Sequence, residues 1–197
     1  LKVTGLTGPD LQVSMKNATT WGICAIQIVR DMSAGANNAQ RATGKVISVN
    51  VQSAKNSSGY TTGDIGLVRV PAVAWTQDGL ALANNNANYD GDVNVAIKEW
   101  NGAAEETTTL SGITLHETVN NAYYYGASEY VPQPCVLSGY ADDSGNRAQL
   151  TLTGVPYRKY DVIVYCATDM ENRYFGPVTV NGTPYRWSAS GGTTQQA

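Results

Sequence analysis

Short runs of alternating hydrophobic and polar residues dominate the chain. Leu11, Val13 and Met15 alternate with polar residues, which predicts a strand with one buried face. A further segment, 65–75, reads as extended but ends or lies at a sheet edge at Pro71, because proline cannot donate to a ladder. Residues 121–125 fit a turn, and no helical stretch of ten residues stands out. Other short strands are predicted at 45–51, 93–97, 110–115, 136–140, 148–155, 160–168, 177–180 and 185–188. This spacing predicts an all-β fold, a sandwich or jelly roll.

Residues 21–29 differ from the other strands because nearly every position is apolar. A strand that is apolar on both faces is expected in the middle of a sheet covered on both sides. The following residues, 33–44, carry no large apolar side chain and are interpreted as a linker. The predicted organisation is therefore an N-terminal β arm (1–31), a linker (32–44), a jelly-roll body (45–190) and a polar tail (191–197).

Composition narrows the class of protein. Only 15% of the 197 residues are charged, whereas Gly (20) and Tyr (12) are frequent, which is typical of an extracellular or cell-surface β protein. The net charge is -3 and no basic cluster exceeds two neighbours, which argues against nucleic-acid binding. No apolar run approaches the ~20 residues of a membrane span. Because the chain starts at Leu1, we expect a mature or excised segment.

The three cysteines form no metal-binding pair. Cys24 lies in an apolar run and is expected to be a small buried residue, and a Cys135–Cys166 disulfide is left open. Sequons occur at Asn17, Asn56 and Asn181.

Catalytic constellations are poorly represented. The single histidine, His116, lies on a predicted strand and is interpreted as a surface or hydrogen-bonded residue, and no nucleophile elbow is present. Carboxylates that could serve glycoside hydrolysis are treated as solvated loop acids: Asp64, Asp78, Glu99, Glu129, Asp142 and Asp161. We therefore expect a protein that is not an enzyme.

One segment imitates the opening of a calcium loop. Asp90, Asp92 and Asn94 have the right spacing, but Val95 and Asn101 stand where an EF-hand needs Gly and Glu. A polar turn is the favoured interpretation. Calcium is the one cofactor that the sequence leaves open, and no other is expected.

Aromatic residues in or beside loops are candidates for stacking on sugar rings. The alternative is that they alternate in and out of a strand, so that half of them belong to the core. These glycan-binding candidates are Trp75, Trp100, Tyr123, Tyr124, Tyr125 and Tyr130.

The body resembles the galactose-binding-like β-jelly-rolls of bacterial secreted and surface proteins, which share a fold with carbohydrate-binding modules. The resemblance is carried by KVISVNV (45–51), GLVRVPAVAW (66–75), VLSGYADD (136–143), LTLTGVPYRKYDVIVY (150–165) and FGPVTVNGTPY (175–185). The resemblance implies closing strands after 175–188, yet only a polar tail follows there. The segment that looks like the missing ending is 5–29, so the strand order is similar to that of a circularly permuted jelly roll.

Three arrangements satisfy this order. The arm folds back onto its own body, or it completes a neighbouring subunit head to tail by donor-strand exchange, or the segment is one repeat of a longer tandem chain. For an exchanged arm, the residues expected to carry the assembly energy are Leu11, Val13, Trp21, Ile23, Ile26 and Ile28. The leading hypothesis is a structural subunit that polymerises with identical subunits into a surface filament. The alternative is a monomeric carbohydrate-binding module of a secreted polysaccharide-degrading or adhesive protein.

Overall fold

A computed structural model describes residues 1–16, 21–31, 44–51, 64–65, 68, 70–80, 82, 88–102, 106–124, 136, 139–142, 148–168 and 173–189. These residues form strands, apart from turns and a single 3-10 turn at Ala72–Ala74. In chain order the strands are β1 (Lys2–Thr7), β2 (Leu11–Met15), β3 (Trp21–Arg30), β4 (Val46–Asn50), β5 (Asp64–Ile65), β6 (Val70–Pro71), β7 (Trp75–Gln77), β8 (Tyr89–Val93), β9 (Lys98–Trp100), β10 (Thr107–Thr109), β11 (Thr114–Val119), β12 (Asn121–Tyr124), β13 (Gly139–Asp142), β14 (Ala148–Thr153), β15 (Lys159–Thr168), β16 (Arg173–Val180) and β17 (Thr183–Ala189).

Two sheets pack face to face. The first has the order β1-β15-β3-β4-β9-β10, with β7 beside β4 and β13 beside β3, and the second has the order β17-β16-β2-β14-β11-β8. Buried residues from both sheets, such as Ile26, Ile47, Leu115 and Leu150, form one continuous core between them. The predicted all-β sandwich is confirmed.

The N-terminal strands are integral to both sheets of their own chain. β3 lies between β15 and β4, β2 lies between β14 and β16, and β1 pairs with β15 at the edge of the first sheet. This is the self-inserted arrangement of residues 1–31. Of the expected linker (32–44) only Gly44 is described, and the tail (191–197) lies outside the described residues.

The prediction that residues 21–29 are covered on both faces is confirmed. One face of β3 belongs to the inter-sheet core, whereas the other belongs to a second apolar cluster that includes Trp75 and Tyr165. β3 has a bulge at Cys24, because Tyr165 pairs with Ala25 while the next residue, Cys166, pairs with Ile23. Because of this extra residue, Cys24, the inward-facing pairs 21/23 and 26/28 are one residue out of phase.

Several local expectations are resolved. The predicted turn at 121–125 is wrong, since Asn121–Tyr124 forms strand β12, which pairs with β13. The extended segment does end at Pro71, where the 3-10 turn begins. Cys24 is buried as expected, and Cys166 forms no disulfide, while Cys135 lies outside the described residues.

Candidate functional site: the slot filled by the third strand

The six residues expected to carry assembly energy are all buried. Each has at most 4% of its surface exposed, and all belong to the core between the sheets: Leu11, Val13, Trp21, Ile23, Ile26 and Ile28. The largest share comes from β3, which pairs over nine positions with β15 and over five with β4. Removing β3 would open a slot through the middle of the first sheet.

Ion pairs hold both ends of the N-terminal segment to β15. Lys159 Nζ lies 2.9 Å from Asp31 Oδ2 at the end of β3. Lys2 Nζ lies 3.5 Å from Asp161 Oδ2, and the Gly5 amide donates to the other oxygen of Asp161 at 3.1 Å. Both carboxylates are largely buried, with 6% and 4% of their side-chain surface exposed. Salt screens partly buried ion pairs less than exposed ones. We therefore expect these two pairs to hold the segment against β15 at physiological ionic strength.

A polar network that the sequence analysis missed lies at the centre of the slot. Gln27 is fully buried on the outer face of β3. Its Nε2 donates to Ser48 Oγ at 3.1 Å and to the Val68 carbonyl at 2.9 Å. Its Oε1 accepts from the Tyr165 hydroxyl at 2.5 Å and from the Val68 amide at 3.4 Å. The available signal was a single amide in an otherwise apolar run, and it predicts a buried network only once the strand is known to be covered on both faces.

The connection from β3 to its neighbour β4 is longer than its ends require. The Arg30 amide donates to the Lys45 carbonyl at 2.9 Å, so these two positions are adjacent across the ladder. Fourteen residues, 31–44, connect them. Hairpin connections usually take two to five residues.

Two of the glycan-binding candidates lie in the core. Trp75 and Trp100 are only 3% and 7% exposed, and the Trp75 ring packs edge-on against Tyr165. Neither ring offers a face to a sugar, which corrects the expectation for these two residues. Tyr123 and Tyr124 lie on β12, and Tyr125 and Tyr130 lie outside the described residues.

The acidic residues of the calcium-like segment hold the only histidine. Asp92 Oδ1 lies 2.9 Å from His116 Nδ1, and Asp90 Oδ1 lies 3.1 Å from His116 Nε2. The hydrogen bonds to Asp92 and then to Asp90 raise the pKa of His116 above 6.5. Asn94 is exposed beyond the end of β8. The two carboxylates bind opposite edges of the ring and do not converge with it on one point, and the described residues contain no group of three metal-ligating side chains.

Most of the candidate catalytic carboxylates are buried, contrary to the expectation of solvated loop acids. Asp78, Glu99, Asp142 and Asp161 are each at most 3% exposed, whereas Glu129 lies outside the described residues. Glu99 accepts from Lys45 Nζ at 2.6 Å and from the Tyr157 hydroxyl at 2.8 Å. Glu99 is therefore a buried acceptor for a lysine and a tyrosine of the same chain, not a solvated loop acid.

A further buried carboxylate was not singled out by the sequence. Glu117 lies on the inward face of β11, has no exposed surface, and neither of its oxygens has a hydrogen-bond partner. Burial and the charge of Asp78 raise the pKa of Glu117 well above its usual range.

No helix in the described ranges is long and apolar enough to cross a membrane.

Comparison with known proteins gives no relative: no family model matches the chain, and neither a curated protein nor a solved structure is significantly similar to it.

Proposed function

We propose that this chain is a non-enzymatic structural subunit of an extracellular bacterial filament, in which residues 1–31 of one copy fill the sandwich of the next copy. The observation that carries the proposal is the fourteen-residue connection between two positions that are already hydrogen-bonded, Arg30 and Lys45. A connection of this length can span roughly 45–50 Å when extended. It therefore allows β3 to enter either its own sheet or that of a neighbour.

The closed and exchanged forms would contain the same strand contacts. Their equilibrium then depends on the connection and on protein concentration, as in domain swapping. Because each copy donates its arm to one neighbour and accepts an arm from another, the contact is head to tail and does not close on itself. Such a contact generates a filament.

The donated arm would be held tightly. Each large aliphatic or aromatic side chain that it buries contributes roughly 1.5–3 kcal/mol. An arm with at least six such residues exchanges slowly once it is inserted. We therefore expect assembly to occur while the chain folds, and folded monomers to be kinetically stable.

The test uses two variants of the connection. Replacing residues 31–44 by Asn-Gly creates a two-residue turn that permits only self-insertion. A Gly/Ser segment of fourteen residues at the same place is the matched control. Each protein is refolded at high concentration and analysed by light scattering after size exclusion and by negative-stain microscopy.

We expect filaments or dilution-resistant oligomers from the natural chain and from the Gly/Ser control, and only monomers from the Asn-Gly variant. Filaments of the Asn-Gly variant, or a natural chain that remains monomeric under every refolding condition, would refute the proposal.

Polysaccharide binding is a second candidate function, and one observation favours it. The outer face of the second sheet carries hydroxyl, amide and imidazole groups at paired positions of β2, β11 and β14, which are exposed or half-exposed: Gln12, Thr114, His116, Thr118, Thr151 and Thr153. Such groups can hydrogen-bond to sugar hydroxyls. A glycan array separates the two functions. A binding module is supported if the monomeric Asn-Gly variant still binds a glycan and if Thr151→Ala and Thr153→Ala together abolish that binding.

A further inference from the structure

Gln27 is the one polar side chain in the apolar run from Trp21 to Val29. We infer that Gln27 is the residue by which the slot between β4 and β15 selects its strand and fixes its register. The inference about register applies to β3 of the same chain. Its extension to the choice of a partner copy rests on the proposed function.

The network around Gln27 is complete. A glutamine amide has two donor hydrogens and two acceptor sites, and all four are used by Ser48, Val68 and Tyr165. Val68 offers both its carbonyl and its amide, so the orientation of the Gln27 amide is determined by its partners. A fully satisfied polar network inside an apolar layer specifies one arrangement, whereas a partly satisfied one is costly.

Around Gln27, apolar packing alone specifies the register of β3 weakly. A strand with one buried face resists slipping because a one-residue shift exposes its hydrophobic side chains. β3 is buried on both faces, so this penalty is largely lost. After a shift of two residues, Ala25 or Val29 would face Ser48 in place of Gln27.

A slipped or foreign apolar strand would leave the slot unsatisfied. Ser48, the Val68 backbone and the Tyr165 hydroxyl would lose their bonds to an amide inside a layer where Ser48 is fully buried. A site built to hydrogen-bond its ligand discriminates strongly against an analogue that lacks the group. The other end of β3 is constrained by size, because a Cβ atom at Gly22 would lie 2.1 Å from Cδ2 of Tyr140.

The occupant that this slot accepts is therefore a strand with an amide at the position of Gln27. In the proposed filament that strand is β3 of a second copy. The buried polar residue then has the role that a single buried asparagine has in coiled coils, where it fixes the register at a cost in stability.

The register inference is tested with a double-mutant cycle in the full chain. Gln27→Met keeps the volume of the side chain and removes the amide, and Tyr165→Phe and Ser48→Ala remove partners. In the natural chain we expect Tyr165→Phe to lower the folding equilibrium constant roughly five- to tenfold, and in the Gln27→Met background to change it less than twofold. In the Gln27→Met background, Ser48→Ala and Tyr165→Phe together are expected to restore part of the stability that Gln27→Met loses. The remote substitution Thr153→Ala should combine additively with Gln27→Met.

Additive effects of Gln27→Met and Tyr165→Phe would overturn the inference. If Gln27→Met does not fold, the comparison of Ser48→Ala with Tyr165→Phe, singly and together, still reports whether the network acts as a unit. A single set of NMR amide signals for β3 and β4 in Gln27→Met, with unchanged cross-strand contacts, would also overturn it, because the register would then be fixed without the amide.

Partner choice is tested by mixed refolding. Natural and Gln27→Met chains with different affinity tags are refolded together, and the composition of the oligomers is measured. Sorting into separate oligomers supports the selection of β3 by the slot, and random mixing refutes that extension. If the double-mutant cycle shows coupling but the natural chain forms no oligomers, the proposed function is refuted and the register inference stands.

Discussion

Adding one methyl group at Gly22 should destabilise the fold more than the same change at another strand glycine. A Cβ atom at residue 22 would lie 2.1 Å from Cδ2 of Tyr140 and 2.6 Å from the carbonyl oxygen of Ala141. Tyr140 is itself buried, and Ala141 belongs to β13, which pairs with β3 at this point. The methyl group therefore meets a backbone atom that cannot rotate away.

The magnitude follows from the distance to be recovered. Ordinary van der Waals contact begins near 3.4 Å, so strand β13 or the Tyr140 ring must move by about 1.3 Å. Overpacking of this kind costs about 3 kcal/mol. At Gly91 of β8 the nearest atom would be the Tyr89 hydroxyl oxygen at 3.6 Å, which is ordinary contact. Gly91→Ala is expected to stabilise by about 0.5 kcal/mol, because glycine weakens a strand interior.

Urea unfolding monitored by tryptophan fluorescence measures both variants under one condition. We expect Gly22→Ala to lower the urea midpoint substantially, and Gly91→Ala to leave it unchanged or slightly raised. The slope of the free energy against urea should be the same in both, which assigns the difference to stability. Equal midpoints for the two variants would show that β13 does not pack against β3 as described.

Three further predictions concern individual side chains. Because the pKa of Glu117 is raised on folding, the natural chain should lose stability as pH rises from the ordinary glutamate value through the raised one, and Glu117→Gln should remove this slope. An NMR titration of His116 should give a pKa above 6.5, and its small stabilising contribution should be present at lower pH and lost as pH rises through that value. Asn181 has a φ of 45° and accepts from the Gln12 amide at 2.7 Å, so thermal unfolding should show a loss of about 2 kcal/mol for Asn181→Ala and about half of that for Asn181→Gly.

The sequence was sufficient to predict the strands with one buried face. Alternation identified Leu11–Met15, because a half-buried strand has a period of two. The turn at Asn181 and Gly182 agrees with its sequence, since Asn-Gly favours the positive φ that both positions have. Strand β1 was missed because its polar and glycine residues leave only Val3 buried.

The candidate site was only partly predictable, because its properties depend on long-range pairing. The burial of Trp75 and Trp100 follows from the cluster that covers the outer face of the first sheet, and no local pattern reports that cover. His116 lies between Asp90 and Asp92 because β8 pairs with β11 in a register that places Asp92 opposite His116. The four bonds of Gln27 join residues up to 138 positions apart.

The order in which the strands are synthesised has a consequence for the cell. β3 pairs with β15, so about 130 residues separate Arg30 from its partner Tyr160. At translation rates of roughly 5–20 residues per second, the most hydrophobic strand waits on the order of ten seconds for its partner. Contacts this remote in sequence also slow folding after release. During that interval the emerging strand is exposed to other chains. In the proposed filament, co-translational chaperones and the spacing of ribosomes on the message would therefore influence whether a chain closes on itself or joins its neighbour.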